Sequence, residues 1–327
     1  MQPISQKLIT MTELLNDGHY HDGTSLGNQL NITRAAVWKV IKKLKQYEVP
    51  LQSMKGKGYR LASPLVLLNH KKITANLRHH SVHIDTLEKI GSTNDYLKNV
   101  IVENKKIRIC LAETQTQGKG RLQRQWHSPF GQNIYFSMLY PFQKDISDLS
   151  GLSLVTGLAV CHAIESVIDL GNEKLWVKWP NDVLANKRKL AGTLIEIQAE
   201  SNGFCQVIIG IGLNVNMKDD TKKNITQPWS SLLQLTHQYQ DRNILCATLI
   251  DTLIDYIKRF SSKGLVDFME EWKKKDFLFD RSIAIASGKN KHHGVCMGIN
   301  EKGHILLKTS EEIIQAHSSG DTIVGVG

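Results

Sequence analysis

Residues 113–126 read ETQTQGKGRLQRQW. Two glycines, Gly118 and Gly120, stand among three cations, Lys119, Arg121 and Arg124, and the stretch closes on Trp126. Glycine has no Cβ to hold the main chain off an oxyanion, so such a loop can bring N–H groups and positive charge up to a phosphate or carboxylate. Taken alone, the same residues also describe a basic surface turn between two strands. The flanking sequence places the loop in a sheet. Ile107–Ala112 reads as a short strand leading in, and residues 133–139, NIYFSML, as a strand leading out. Farther on, a strand from Leu175 ends at Lys178-Trp179-Pro180-Asn181-Asp182. Asn186-Lys187 turns a hairpin there, and Arg188-Lys189-Leu190-Ala191-Gly192 starts its return. Lys189 is therefore expected at the start of a strand, beside the turn that carries Asp182.

The remaining elements follow from periodicity. Val82, Ile84 and Leu87 mark a strand, and Gly91-Ser92-Thr93-Asn94-Asp95 opens a helix expected to run through Leu97, Val100 and Ile101. Ser92 and Asp95 fit an S-x-x-D cap, and a helix start also offers spare donors to a bound polar group. Residues 152–168 form a long apolar helix, and 204–211 an apolar strand leading into Gly212-Leu213-Asn214. The polar, lysine-rich residues 217–226 are expected to be a mobile loop. Asp241 caps a helix whose stripe is Leu245, Leu249, Leu253 and Ile257, and a last helix spans 265–274. Beyond Asp280, short strands at 282–286, 295–299, 304–309 and 312–316 read as a small β-barrel of SH3-like size.

Toward the N-terminus, Ile4, Leu8, Met11 and Leu15 recur at helical spacing, and a second short helix runs through Leu26 and Leu30. Thr33 is an N-cap for a third helix, whose apolar stripe is Val37, Val40, Ile41 and Leu44. Its opposite face carries Arg34, Trp38, Lys42 and Lys45, the basic strip that a helix-turn-helix lays in the major groove. Residues 50–61 then form a hairpin turning at Lys55-Gly56-Lys57-Gly58, a wing whose Lys55 and Lys57 can meet phosphates. The candidate DNA contacts are thus Thr33, Arg34, Trp38, Lys42, Lys45, Lys55 and Lys57. The expected fold is an α/β multi-domain chain. A winged helix-turn-helix covers 1–63, a linker 64–70, a central α+β domain with a mixed sheet 71–276, and an SH3-like barrel 277–327.

Composition narrows the function classes. A net charge of +10 favours polyanionic partners, and 41% hydrophobic residues suffice for globular cores. The five cysteines form no CxxC, so neither a zinc site nor a disulfide framework is indicated. His79-His80 and His292-His293 show no ligand spacing and read as surface histidines. There is no signal-like apolar core behind the N-terminus and no long uninterrupted apolar run, so a soluble, cytoplasmic protein without a membrane partner is expected.

GKGRLQRQW resembles the glycine-arginine loop of biotin–protein ligases, and KWPND with RKLAG is similar to the paired motif that follows it in those enzymes. Gly91-Ser92-Thr93-Asn94 upstream and residues 210–216, GIGLNVN, downstream fall in the same order. The N-terminal module extends the resemblance to the bifunctional bacterial members, which are both ligase and biotin-operon repressor.

The resemblance implies a two-step reaction. Biotin's carboxylate attacks the α-phosphate of ATP to give biotinyl-5′-AMP, and a lysine of a biotin carrier protein then takes the biotinyl group. Bringing two anions together calls for cations in a water-poor site. By resemblance Lys189, Arg121 and Arg124 supply them. Ser92, Thr93, Asn94 and Gln115 are the implied partners of the ureido ring, with Gly118, Lys119, Gly120, Arg121, Trp126 and Lys189 completing the biotin site. Lys119, Arg121, Arg124, Asn181, Asn214 and Trp229 are implied for ATP. Asp182 is the candidate ligand for the Mg2+ that accompanies ATP, its plainer role being a turn aspartate after Pro180. The resemblance also implies a homodimer on operator DNA when the adenylate is bound. Lys119 stands where the family carries arginine, and Gln123 where it carries a third glycine; both departures point to altered affinity or adenylate retention. A dinucleotide-binding reading fails for want of that third glycine and a placed acidic residue. Two alternatives stay open: a biotin-sensing regulator with little turnover, and a lipoate-type ligase.

Overall fold

The computed structural model describes residues 2–100, 106–199, 205–218, 225, 227–287 and 290–325. Three helices, α1 (Gln6–Leu15), α2 (Gly23–Leu30) and α3 (Arg34–Gln46), and a hairpin of β1 (Leu51–Met54) with β2 (Gly58–Leu61) form the winged helix-turn-helix. Asp22 caps α2 by accepting the Thr24 and Ser25 N–H groups, and Thr33 caps α3 through the Ala36 N–H. The apolar stripe Leu8, Met11, Leu15, Leu26, Val37, Ile41 and Leu44 closes a small core. Gly58 must be glycine: its φ is +104°, and a Cβ there would lie 1.9 Å from the His21 carbonyl oxygen.

The stretch read as a linker is a buried strap. Leu65 and Leu67 complete the N-terminal core, while Leu68 belongs to the main core. The strap's backbone is held by a fully buried ion pair of Arg242 with Glu113 at 2.7 Å. Arg242 Nε donates to the Val66 carbonyl at 3.0 Å, and Glu113 Oε1 accepts the Leu68 N–H at 2.5 Å. A polar backbone inside a core needs such partners, and a sequence pattern does not show them.

Asn69 caps α4 (His70–Ala75), and the central domain continues through β3 (Val82–Leu87), α5 (Thr93–Lys98), β4 (Ile107–Ala112), β5 (Ile134–Phe142), α6 (Leu152–Val167), β6 (Leu175–Lys178), β7 (Asp182–Ala185), β8 (Arg188–Ala199) and β9 (Cys205–Leu213). The seven strands form one mixed sheet in the order β3-β4-β5-β9-β8-β7-β6, parallel only between β3 and β4. After α7 (Leu232–Thr236), the long α8 (Arg242–Lys263) packs on α6, and α9 (Met269–Lys275) ends the domain. The helix at α5 stops at Lys98, short of the Ile101 expected, and Ile101 lies outside the described residues. Most of the loop expected at 217–226 also lies outside them.

Period-2 alternation divides the sheet's faces. Ile109, Leu111, Phe136, Met138, Ile209 and Ile211 point into the main core under α6 and α8. The opposite face presents Ser137 of β5 beside Gly210 of β9, Gly212 of β9 beside Gly192 of β8, and Glu196 of β8. That second face is the one the glycine loop covers. Ile146–Val167 has the length and hydropathy of a membrane span, but it is mostly buried, with α6 packed between the sheet and α8.

The C-terminal strands β10 (Ser282–Ser287), β11 (Asn290–Ile299), β12 (Ile305–Lys308), β13 (Ile314–His317) and β14 (Asp321–Val324) make an antiparallel sheet in the order β13-β12-β11-β10-β14, as in a small SH3-like barrel. It shares its core with the central domain: Ile283, Ile285, Cys296 and Leu307 continue the main cluster, and the buried Trp179 indole N–H donates to the Gly303 carbonyl at 3.0 Å. All five cysteines are free and buried. His79 bonds Asp255 at 2.7 Å, and the described residues hold no group of three or more metal-ligating side chains.

Candidate active site

A cavity of about 1110 Å³ opens between the glycine face of the sheet, the 113–126 loop and the edge of the C-terminal sheet. It is lined by Ser92, Thr93, Asn94, Gln115, Lys119, Gly120, Arg121, Arg124, Trp126, Asn181, Asp182, Lys189, Asn214 and Trp229. Of the ligand residues expected from sequence, Gly118 alone is not part of the lining. It supports the wall from behind, where a Cβ would come within 3.0 Å of the Gln115 amide and 2.9 Å of the Trp126 carbonyl. The seven DNA candidates lie elsewhere. Thr33, Arg34, Trp38, Lys42, Lys45, Lys55 and Lys57 are all exposed on α3 and the wing, with Lys42 5.1 Å over the Trp38 ring and Lys45 tied to Ser53 of β1 at 2.9 Å.

At the cavity's polar end Ser92 caps α5 and stays buried, with Thr93 and Asn94 beside it. The Gln115 carbonyl oxygen accepts the Thr93 N–H at 2.9 Å, fixing the Gln115 side chain across the wall. At the opposite end Lys189 meets Asp182 at 2.7 Å and lies 5.4 Å from the Trp126 ring centre. The β7–β8 hairpin makes this meeting, because its turn at Asn186 and Lys187 takes positive φ at both residues. The Trp126 indole lies on Gly192 and Gly212, where a Cβ at Gly212 would be 2.4 Å from the ring. A ligand reaching those glycines has to move the ring.

The loop cations are engaged by carboxylates. Lys119 pairs with Asp95 at 2.6 Å, Arg124 with Asp321 at 2.5 Å, and Arg121 with Asp321 at 3.5 Å while donating to the Gly320 carbonyl at 3.2 Å. Burial alone would raise the Asp95 carboxyl, but hydrogen bonds from Lys119 and Lys98 outweigh it and hold the group below the usual carboxylate range. Gln123, the residue in place of a third glycine, takes φ +59°, and Leu122 beside it takes φ +53°. The loop keeps a glycine-like path with two residues that strain to follow it.

Asn214 lines the cavity and also braces it. Its amide nitrogen donates to the Ser230 carbonyl at 3.0 Å and the Lys189 carbonyl at 3.4 Å, so it ties the Trp229 segment to the lysine strand. Two lining residues, Lys178 and Asp321, and two residues behind the lining, Ser137 and Glu196, are not identified as site residues by the sequence. Lys178, although inside a quoted motif, was given no role; it donates to the Thr322 carbonyl at 2.8 Å, and burial pushes its ammonium below the ordinary lysine value against the pull of Asp182 and Asp321. Asp321 sits on a strand whose only signal was the Gly320 turn before it. Ser137 and Glu196 read as strand residues in the sequence, and the structure places both against the lining residue Asn94.

Fold and site together define a class: a winged helix-turn-helix carried by a central domain whose deep cavity has a polar headgroup end and a cationic end. The model of the biotin/lipoate A/B protein ligase family matches residues 86–214, and an HTH domain model matches residues 6–60. The chain is 37% identical over 300 residues to the bifunctional ligase/repressor BirA of Salmonella typhimurium, covering 92% of each chain, and 36% identical to that of Escherichia coli, covering 96% of this chain and 95% of that one. The solved biotin protein ligase of Aquifex aeolicus in complex with biotin and ATP superposes with a TM-score of 0.64 at 30% identity, over 74% of this chain and 98% of that one. The chain belongs to the biotin/lipoate A/B protein ligase family, among its bifunctional ligase/repressors.

Proposed function

We propose that this protein is an ATP-dependent biotin–protein ligase that also acts as a DNA-binding repressor. The observation that carries the reading is one cavity joining a polar wall of Ser92, Thr93 and Gln115 to Lys189, Arg121 and Arg124, with Trp126 between them. A ureido ring has donors and an acceptor to match that wall, whereas the dithiolane of lipoate has none. A carboxylate oxygen of biotin attacks the α-phosphorus, the bond to pyrophosphate breaks, and biotinyl-5′-AMP forms. Lys189 offsets the repulsion between the two anions, and Arg121 and Arg124 exchange Asp321 for phosphate oxygens. The lysine amine of a biotin carrier protein then attacks the anhydride carbonyl; AMP leaves and the amine's proton passes to solvent. Lys119, Asn181, Asn214 and Trp229 bound the nucleotide side, a reading supported by their common place in the cavity lining.

The described residues form no protein-only metal cage. Mg2+ fits here as a partner of ATP's phosphates with at most one carboxylate, Asp182, whose engagement with Lys189 would have to be shared. Residues 1–63, 71–276 and 277–327 serve as the DNA-binding, catalytic and C-terminal domains of a cytoplasmic protein, with 64–70 as the strap between the first two. The adenylate-bound form pairs as a homodimer on a palindromic operator, each recognition helix reading bases through Trp38 and its basic strip. The test is transfer of labelled biotin to a biotin carrier domain together with operator binding by gel shift. The reading expects both, with Lys42→Ala lowering the salt slope of DNA binding by about one. Labelling of a lipoyl domain in place of the biotin carrier, or binding with no salt dependence, would overturn it.

A further inference from the structure

The polar wall is one end of a hydrogen-bonded chain that begins at Glu196. Asn94 Nδ2 donates to Glu196 Oε2 at 2.7 Å, Asn94 Oδ1 meets Ser137 Oγ at 2.5 Å, Ser137 Oγ meets Thr93 Oγ1 at 2.7 Å, and Gln115 Oε1 accepts from the Thr93 N–H at 2.9 Å. Thr93, Asn94 and Ser137 are all buried, and β9 makes room for the Asn94 amide at Gly210, where a Cβ would lie 2.3 Å from Asn94 Oδ1. Lys98 Nζ pairs with Glu196 Oε1 at 2.6 Å, leaving Oε2 to accept from Asn94.

Proton counting fixes which way the Asn94 and Gln115 amides face. Asn94 turns its NH2 toward the Glu196 carboxylate, so Asn94 Oδ1 faces Ser137 and takes its only hydroxyl hydrogen. Ser137 Oγ is then an acceptor, and the Thr93 hydroxyl, 2.7 Å from it and 3.1 Å from Gln115 Oε1, gives its hydrogen to one of these two oxygens. Gln115 is left accepting the Thr93 N–H, which points its NH2 outward: one hydrogen reaches Ser128 Oγ at 3.4 Å, and among the described residues the other has no partner. We propose that Glu196, acting through Asn94 and Ser137, is the positioning residue that fixes this donor pattern and so selects biotin's ureido carbonyl, a role that rests on the biotin-ligase reading of the cavity. The same carboxylate also ends an ionic chain, Lys119–Asp95–Lys98–Glu196, that reaches the glycine loop.

The test measures KM for biotin and for ATP separately in adenylate formation by the full chain, with Glu196→Leu, Glu196→Gln and Ser137→Ala beside the wild type, and thermal melting as the folding control. A buried polar network that loses its terminal acceptor should raise the KM for biotin about tenfold to a hundredfold. The KM for ATP should move less than about twofold, and Glu196→Gln should recover most of the loss because its oxygen still accepts from Asn94. Glu196→Leu that melts earlier but keeps the wild-type biotin KM, or Glu196→Gln as impaired as Glu196→Leu, would overturn the assignment. Wild type with no biotin-dependent turnover would instead overturn the reading on which it rests.

Discussion

Glu88 pins the recognition helix to the flank of the cavity, and removing it should release the N-terminal module. Its side chain, 6% exposed, receives the hydroxyl of Tyr47, the C-cap of α3, at 2.6 Å and lies 2.6 Å from Nζ of Lys43 on α3. Tyr47 also stacks in parallel on Phe130 with ring centres 4.1 Å apart. Glu88 precedes Ser92 on one side of the polar wall, and Phe130 follows Trp126 on the other. Tyr47 donating to a buried carboxylate contributes about 1.5–3 kcal/mol. Lys43 is 37% exposed, and solvent screening reduces its share to about 0.5 kcal/mol. Glu88→Ala therefore costs docking about 2–3.5 kcal/mol, with the Tyr47–Phe130 stack remaining. At about 3 kcal/mol the undocked population rises on the order of a hundredfold. The Ile4 N–H donates to the Thr86 carbonyl at 3.3 Å across the junction, so its hydrogen exchange reports undocking directly. Exchange at Ile4 should speed up strongly in Glu88→Ala and much less in Glu88→Gln, which keeps an acceptor for Tyr47. Equal, wild-type exchange in both would refute the clasp.

Other substitutions probe other parts of the account. Gln123→Gly should remove about 1 kcal/mol of left-handed strain, partly offset by glycine's freedom when unfolded, and slow exchange of the Gly120 N–H that donates to the Arg124 carbonyl at 2.7 Å; faster exchange would show that the strain is absent. Arg242→Met strands Glu113 as a buried charge, which burial already pushes up, and should cost about 3–5 kcal/mol, seen as a Tm lower by roughly 10 °C. Replacing both partners, Arg242→Met with Glu113→Leu, should recover much of that loss. The Asp95 carboxyl is depressed in the folded chain, so its stabilising contacts are complete above its unfolded value of 3.8 and lost as pH falls through the lower folded value. Lys119→Gln should weaken that acid dependence in a melting series below about pH 4; an unchanged series would remove the contact from the account.

How much was legible in the sequence depends on the range of the interaction. The caps at Ser92, Thr33 and Asp241, the hairpin at Asn186-Lys187 and the recognition face of α3 are local, and local patterns named them. The cavity lining was legible through its four motifs, because each motif is contiguous. Glu196 and Ser137 were not, since their meeting with Asn94 depends on the β5–β9–β8 register, and the β5–β9 partners, such as Phe142 and Cys205, are distant in sequence. Asp321 was missed because β14 is short, and its two arginine partners lie near Gly120 in a chain that must first build the whole barrel. The strap at 64–70 looked like a linker because Pro64 is a breaker, while its anchors Glu113 and Arg242 are distant in sequence.

The measurement that tests the central claim most directly is biotin-dependent release of pyrophosphate from ATP by the wild type beside Lys189→Ala. Lys189 lies at the cavity's cationic end, so the account predicts steady turnover by wild type and a loss on the order of a hundredfold or more in kcat for Lys189→Ala, with folding unchanged. Equal rates for the two proteins would contradict the assignment of Lys189, and no biotin-dependent release from a folded wild type would contradict the ligase itself.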